Sequence, residues 1–152
     1  MNYFFTLLVG LFIFTDVQAQ QFEYKVVTSV ESIVLGGLGR SRIISASEDK
    51  DFSDYATERS DNKEKDQKNT SKRKDIRVKN YEETKLLNFY NLGGIRFQNI
   101  AANDAIIGSK INEMVSNGWD LVFVNTGVES DSGKDDGSGL FITRYIFRRL
   151  KE

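Results

Sequence analysis

The residues best suited to chemistry in this chain stand in three short clusters. The first is Gly36-Gly37-Leu38-Gly39-Arg40-Ser41-Arg42. Glycines let a backbone approach a ligand closely, and two guanidinium groups with a hydroxyl can hold a phosphate or a carboxylate. Gly37, Gly39, Arg40, Ser41 and Arg42 are therefore the candidate anion-binding residues. Phosphate loops, however, join a strand to a helix and carry GxGxxG or GxxxxGK[ST]. Neither pattern is completed here, and Arg42-Ile43-Ile44 reads as strand. A plain glycine-rich turn is the favoured reading.

The second cluster is acidic. Glu129, Asp131, Asp135 and Asp136 lie in a glycine-spaced turn, and hard oxygen ligands in an exported protein suit calcium. Their spacing is not that of an EF-hand, and Lys134 sits among them. A solvated hairpin tip is the default. The third cluster is Arg144-Tyr145-Ile146-Phe147-Arg148-Arg149, where basic residues interleave with aromatics as they do in nucleic-acid binders. In a strand, though, Tyr145 and Phe147 share one face while Arg144 and Arg148 share the other. A half-buried strand gives that pattern with no ligand at all.

What is missing excludes more than what is present suggests. The chain has no histidine and no cysteine. Ser-His-Asp and Cys-His catalysis, histidine-ligated zinc and disulfides are therefore all excluded. Paired carboxylates or a Ser-Lys pair remain conceivable, but the acids cluster in loops where nothing would hold them. No cofactor is implied.

The elements that would position these residues are legible in pieces. Phe22 to Val34 is a strand, with Phe22, Tyr24, Val26, Thr28 and Val30 on one face and Glu23, Lys25, Ser29 and Glu31 on the other. Leu35 to Gly39 is a turn, and Arg42-Ile43-Ile44 starts a returning strand. Asn80 to Leu92 reads as a weak helix, with Asn80 and Glu83 at capping-box spacing, and Ile95 to Ile100 as extended or irregular. Asn103 or Asp104 can cap a helix to about Asn117, with Ile107, Ile111, Met114 and Val115 as its apolar stripe. Gly118 supplies the left-handed residue that ends it, and Trp119 beside it fills the seam between helix and sheet. An exposed tryptophan would instead be a carbohydrate platform. Trp119 to Asn125 is a strand in which Trp119, Leu121 and Phe123 alternate against Asp120, Val122 and Val124. A polar turn leads to the last strand, Leu140 to Arg149, closing a long hairpin.

Between these ends the chain is almost entirely polar. Glu48 to Asp61 holds six acids and two bases, and Lys63 to Lys79 three acids and eight bases. Such a stretch cannot bury enough apolar surface to offset its ordering entropy. It reads as a disordered insertion over about 46–79. The sharper alternative is a basic patch around Lys72-Arg73-Lys74 that docks a polyanion.

Glu23-Tyr24-Lys25-Val26-Val27, a helix ending at Gly118-Trp119-Asp120-Leu121-Val122, and a closing Tyr145-Ile146-Phe147-Arg148-Arg149 resemble a small bacterial domain family of unknown function. That family shows a Tyr-Lys-Val-Val strand, one helix closed by Gly-Trp-Glu-Leu, and a hairpin ending in Tyr-x-Phe-Lys-Arg. The likeness covers both ends of the chain and leaves Gly36 to Asn99 mostly unexplained, and Asp120 stands where the family has Glu. The resemblance implies a compact sheet with one packed helix and no particular activity.

The N-terminus reads as an address. Tyr3 to Phe14 is apolar and uncharged, and Val17 and Ala19 stand at the −3 and −1 positions of a small-residue cleavage site. The run falls short of the roughly 20 residues that span a bilayer. Residues 1–19 are thus a signal peptide, and 20–152 form a single exported domain, periplasmic or secreted, with no stable membrane insertion after cleavage. The whole chain has 21 basic and 22 acidic residues; removing Asp16 with the leader leaves zero net charge, which gives no reason to seek nucleic acid. The expected fold is α+β: a small antiparallel sheet with one main helix on one face, a long charged insertion and a C-terminal hairpin. The expected function is a non-enzymatic binding or interaction module of the cell envelope, its partner an envelope protein or polymer. The alternative is a carboxylate-based hydrolase acting on envelope polymers.

Overall fold

β-Branched and aromatic residues dominate Phe22–Ser32, and the rest of the sheet is built out from that segment. The structure is a computed structural model and describes residues 21–32, 41–59, 61, 69–129 and 139–151. In chain order its elements are β1 (Phe22–Ser32), β2 (Arg42–Ala46), a 3-10 turn (Phe52–Tyr55), α1 (Arg73–Ile76), β3 (Tyr81–Lys85), β4 (Tyr90–Asn91), β5 (Gly94–Ile95), α2 (Phe97–Ser116), β6 (Asp120–Glu129) and β7 (Leu140–Leu150). β1 is the central strand of a five-stranded antiparallel sheet of order β3-β2-β1-β7-β6. β4 and β5 form a separate two-stranded ribbon. The fold is α+β, and β6 and β7 are the expected C-terminal hairpin. No helix among the described residues is long and apolar enough to cross a membrane.

The main helix packs on one face of the sheet. Val27, Ile43, Leu86, Met114, Trp119 and Phe147 form the buried core, and Ile106, Ile107, Ile111 and Tyr145 pack against it. The buried stripe of α2 thus runs through Asn103, Ile107, Ile111 and Met114, and it is centred away from Val115, which is 54% exposed. At its end the Trp119 N–H donates to the Met114 carbonyl (3.1 Å) and the Gly118 N–H to the Val115 carbonyl (3.0 Å). Gly118 has φ +80°. This is a Schellman closure, and it turns Trp119 directly back over Met114 into the core.

Three sequence expectations are corrected. Asn80 to Leu92 is not helical, because the β2 ladder captures it: Ser47 N–H donates to the Asn80 carbonyl (3.0 Å), and β3 continues the pairing. In strand geometry Glu82 and Glu83 point to opposite faces, Glu82 to Lys110 of α2 and Glu83 to Arg42 of β2. The main helix starts at Phe97, not at Asn103, so Ile95 to Ile100 is mostly helical. Asn103 caps nothing; fully buried, its amide accepts from Leu87 N–H (2.8 Å) and donates to the Leu87 carbonyl (2.8 Å), as a neighbouring strand would. Third, a bulge between Leu121 and Phe123 breaks the alternation of β6. Leu121 pairs with Phe147 and Phe123 with Ile146, so Leu121 and Phe123 lie on opposite faces.

The charged segment leaves the sheet at the tip of the β2–β3 hairpin. In its described parts two arms lie together. Lys79 N–H (3.1 Å) and the Asn80 amide (3.3 Å) donate to the Glu48 carboxylate, and Lys50 and Tyr55 both donate to the Asp75 carbonyl. No described residue from 47 to 80 is buried.

Candidate functional site

The two faces of the sheet have opposite fates. α2 covers the face of Val27, Ser29, Ile43, Ser45, Tyr145 and Phe147. That face is partly polar: the Ser29 and Ser45 hydroxyls are buried with no hydrogen-bond partner. The other face carries the more apolar half of β1, and no described element covers it. Val26 stands opposite Ile146, and Ile146 opposite Phe123. On the other side, continuing the Val27–Ser45 register puts Val26 opposite Ala46, which pairs with Tyr81. Tyr81, Ala46, Val26, Ile146 and Phe123 thus make one unbroken apolar row across all five strands, about 19 Å long at the usual strand spacing. Val26 is 45% exposed, Tyr81 53%, Tyr24 61% and Phe123 68%. Exposed apolar surface that is contiguous, rather than scattered, marks an interaction site.

A groove of about 350 Å³ lies in this face, lined by Val26, Thr28, Ile44, Ala46, Val78 and Tyr81 together with Ser45. Val78 comes from the end of the charged segment, so that segment adds a wall to the site. A second hollow of about 390 Å³ continues past Tyr24, Glu48 and Asp49. Among the described residues, the groove lining contains no ionisable group but the Tyr81 phenol. Its chemistry is apolar recognition, not bond breaking.

Charges border the apolar row. One register step from it, Tyr24 is paired with Arg148, and Arg148 with Asp120. On the β2 side the same step reaches Glu48 and Lys79, whose backbone N–H donates to the Glu48 carboxylate and holds its pKa below the usual range. One step the other way lie Glu83, Ile44, Thr28, Arg144 and Asn125. The Arg148 guanidinium stacks over Phe22, 4.6 Å from its centroid.

The sequence-predicted sites come out as follows. Gly37, Gly39 and Arg40 lie outside the described residues. Ser41 is buried, and its hydroxyl is used inside the fold: it accepts from Ser32 N–H (2.9 Å) and donates to Asn88 Oδ1 (2.9 Å). Arg42 lies on the uncovered face and pairs with Glu83 (3.1 Å). Of the acidic cluster, Glu129 ends β6 exposed, while Asp131, Asp135 and Asp136 lie outside the described residues. No group of metal-ligating side chains occurs among the described residues. Trp119 is 9% exposed and belongs to the core; the Arg149 guanidinium lies 4.5 Å from its ring centroid and also pairs with Glu23.

Two carboxylates do act on each other. Glu31 has its pKa raised, chiefly by burial, with Asp104 adding to the effect and a hydrogen bond from Asn103 (2.9 Å) opposing it. The Glu31 carboxylate is thus held inside the Asn103–Leu87 network that fastens the 86–89 segment to the helix.

The uncovered face was missed in the cluster-by-cluster reading, although a signal exists. Val26-Val27, Ile43-Ile44 and Tyr145-Ile146-Phe147 are adjacent apolar residues in strands, which load both faces of a sheet. Comparison of the chain with protein-family models, with curated proteins and with solved structures finds no match.

Proposed function

We propose that this chain is an exported, non-enzymatic interaction module of the cell envelope, and that it works through the uncovered face of its sheet. One observation carries the reading: the apolar row Tyr81–Ala46–Val26–Ile146–Phe123 crosses every strand while the helix covers the more polar face. The groove beside the row offers shape, and the bordering charges offer orientation. Export rests on the leader-like residues 1–19. A carboxylate-based hydrolase of envelope polymers ranks second, on the mutual influence of Glu31 and Asp104.

The test is a photo-crosslinking residue placed in the full chain, in cells, at Val26 or Phe123 and, as a control, at Val115 on the exposed side of the helix. Discrete adducts from positions 26 and 123, with none from 115, are expected. No adduct from either sheet position overturns the reading.

A further inference from the structure

We infer that the occupant of the uncovered face is a second copy of this chain, docked face to face about a two-fold axis that runs along β1. The inference rests on the interaction-module reading and names its partner. Its basis is the order of charges across the sheet. In the register row of Tyr24 the sequence from the β3 side to the β6 side is Lys79, Glu48, Tyr24, Arg148, Asp120. Read across β1, the central strand, this row is antisymmetric in charge. A two-fold axis along β1 lays the β3 side of one copy over the β6 side of the other. Lys79 then faces the other copy's Asp120, and Glu48 faces the other copy's Arg148, with the two Tyr24 rings at the axis.

The neighbouring rows agree. In the apolar row Tyr81 meets Phe123, Ala46 meets Ile146, and Val26 meets its own equivalent, so apolar groups lie over apolar groups throughout. In the next row Glu83 lies over Asn125 and beside Arg144, again with opposite charges together. An isologous contact requires this kind of self-complementarity, since each group must suit its partner in both directions. A face that bound an acidic or a basic partner would carry one sign at its border instead.

Geometry and area fit as well. Sheets stack about 10 Å apart with strands within about 30° of each other, and an axis along β1 gives that aligned arrangement. The helix lies on the opposite face and does not obstruct the approach. The face measures about 19 Å across and about 25 Å along β1, roughly 500 Å² before side-chain relief, against the roughly 800 Å² that each partner of a standard interface buries.

The experiment is sedimentation equilibrium of the full chain purified after export, over a concentration series, with circular-dichroism melts to confirm folding. The expected species is twice the chain mass. Val26→Lys should leave a folded monomer. Arg148→Glu sets like charges face to face and should raise the dimer dissociation constant by about tenfold or more. Glu48→Arg, on another strand and away from Phe22, should do the same. The double variant Arg148→Glu with Glu48→Arg should restore the dimer, because within one copy the two residues stand two strands apart. A single chain mass at every concentration overturns the inference, as does a dimer indifferent to Val26→Lys, or a charge swap that fails to rescue. If the monomer still yields a crosslink to another envelope protein from position 26, the module reading stands and only self-association falls. A monomer with no adduct overturns both.

Discussion

The helix-covered face and the uncovered face of the sheet are made by the same five strands, yet they follow different rules. The covered face tolerates Ser29, Ser45 and Glu31 because α2 shields it with Ile106, Ile107, Ile111 and Met114. The uncovered face is richer in large apolar groups and leaves them in water. Folding stability should therefore reside on the first face, and association on the second. The difference shows that apolar content alone does not say which side of a strand a helix will choose.

Two phenylalanines on neighbouring strands give the sharpest way to break this contrast. Phe147 is 0% exposed on the covered face, and Phe123 is 68% exposed on the other. Phe147→Ala should cost about 3–5 kcal/mol through lost burial and a cavity. Phe123→Ala should cost the isolated chain less than about 0.5 kcal/mol. Urea melts of the two variants in dilute solution check it; equal losses would dissolve the distinction between the faces.

The covered face is also held by polar stitching. Asn103→Ala leaves the Leu87 N–H and carbonyl and the Glu31 carboxylate without their shared partner. A loss of about 1–3 kcal/mol is expected, together with faster hydrogen exchange at Leu87. Where the helix returns to the sheet, Gly118→Val forces a β-branched side chain into φ +80° and should cost about 1–3 kcal/mol. No atom lies within 4 Å of a Cβ built there, so the strain is of the backbone alone. Gly118→Asn should recover most of the loss, since Asn tolerates the left-handed region.

Glu31 adds a pH dependence to the same face. Burial raises its folded pKa above its ordinary value near 4.5. The stability linked to it is present below that value and is lost as pH rises through the folded pKa. Glu31→Gln keeps an acceptor for Asn103 and removes the loss. Its thermal midpoint should exceed that of the unaltered chain at neutral pH, and the gap should close as pH falls below about 4.5. A gap independent of pH would mean that Glu31 is not strained by its burial. The smallest expected effect is Ser29→Ala, which removes a buried hydroxyl with no partner. It should be neutral or stabilising by up to about 1 kcal/mol; a clear destabilisation in the same melts would show that the hydroxyl has a role on the covered face.

Much of this fold can be read from residue patterns. The β1 alternation, the helix with its Ile107–Ile111–Met114 stripe, the Gly118 terminus and the closing hairpin all follow from local periodicity and turn chemistry. The errors have a common cause in tertiary pairing. Asn80 to Leu92 became strand because the β2 ladder outweighed a weak helical preference, and Asn103 was taken for a cap because its use by Leu87 is a contact across 16 residues. The bulge at Val122 moved Phe123 to the uncovered face, and no local pattern announces it. The candidate site was hidden for a further reason. It contains few reactive groups, only apolar residues whose positions align once the register of all five strands is known.

The most direct test of the account is a covalent footprint of Tyr24, Tyr81 and Phe123 in the native envelope. The unaltered chain is compared with the Val26→Lys variant, with Phe147 as a residue buried in both. The account predicts that the three exposed aromatics label severalfold less in the unaltered chain than in the variant, while Phe147 labels in neither. Equal labelling of all three in both chains would mean that the face is bare where the protein works, and would contradict the account.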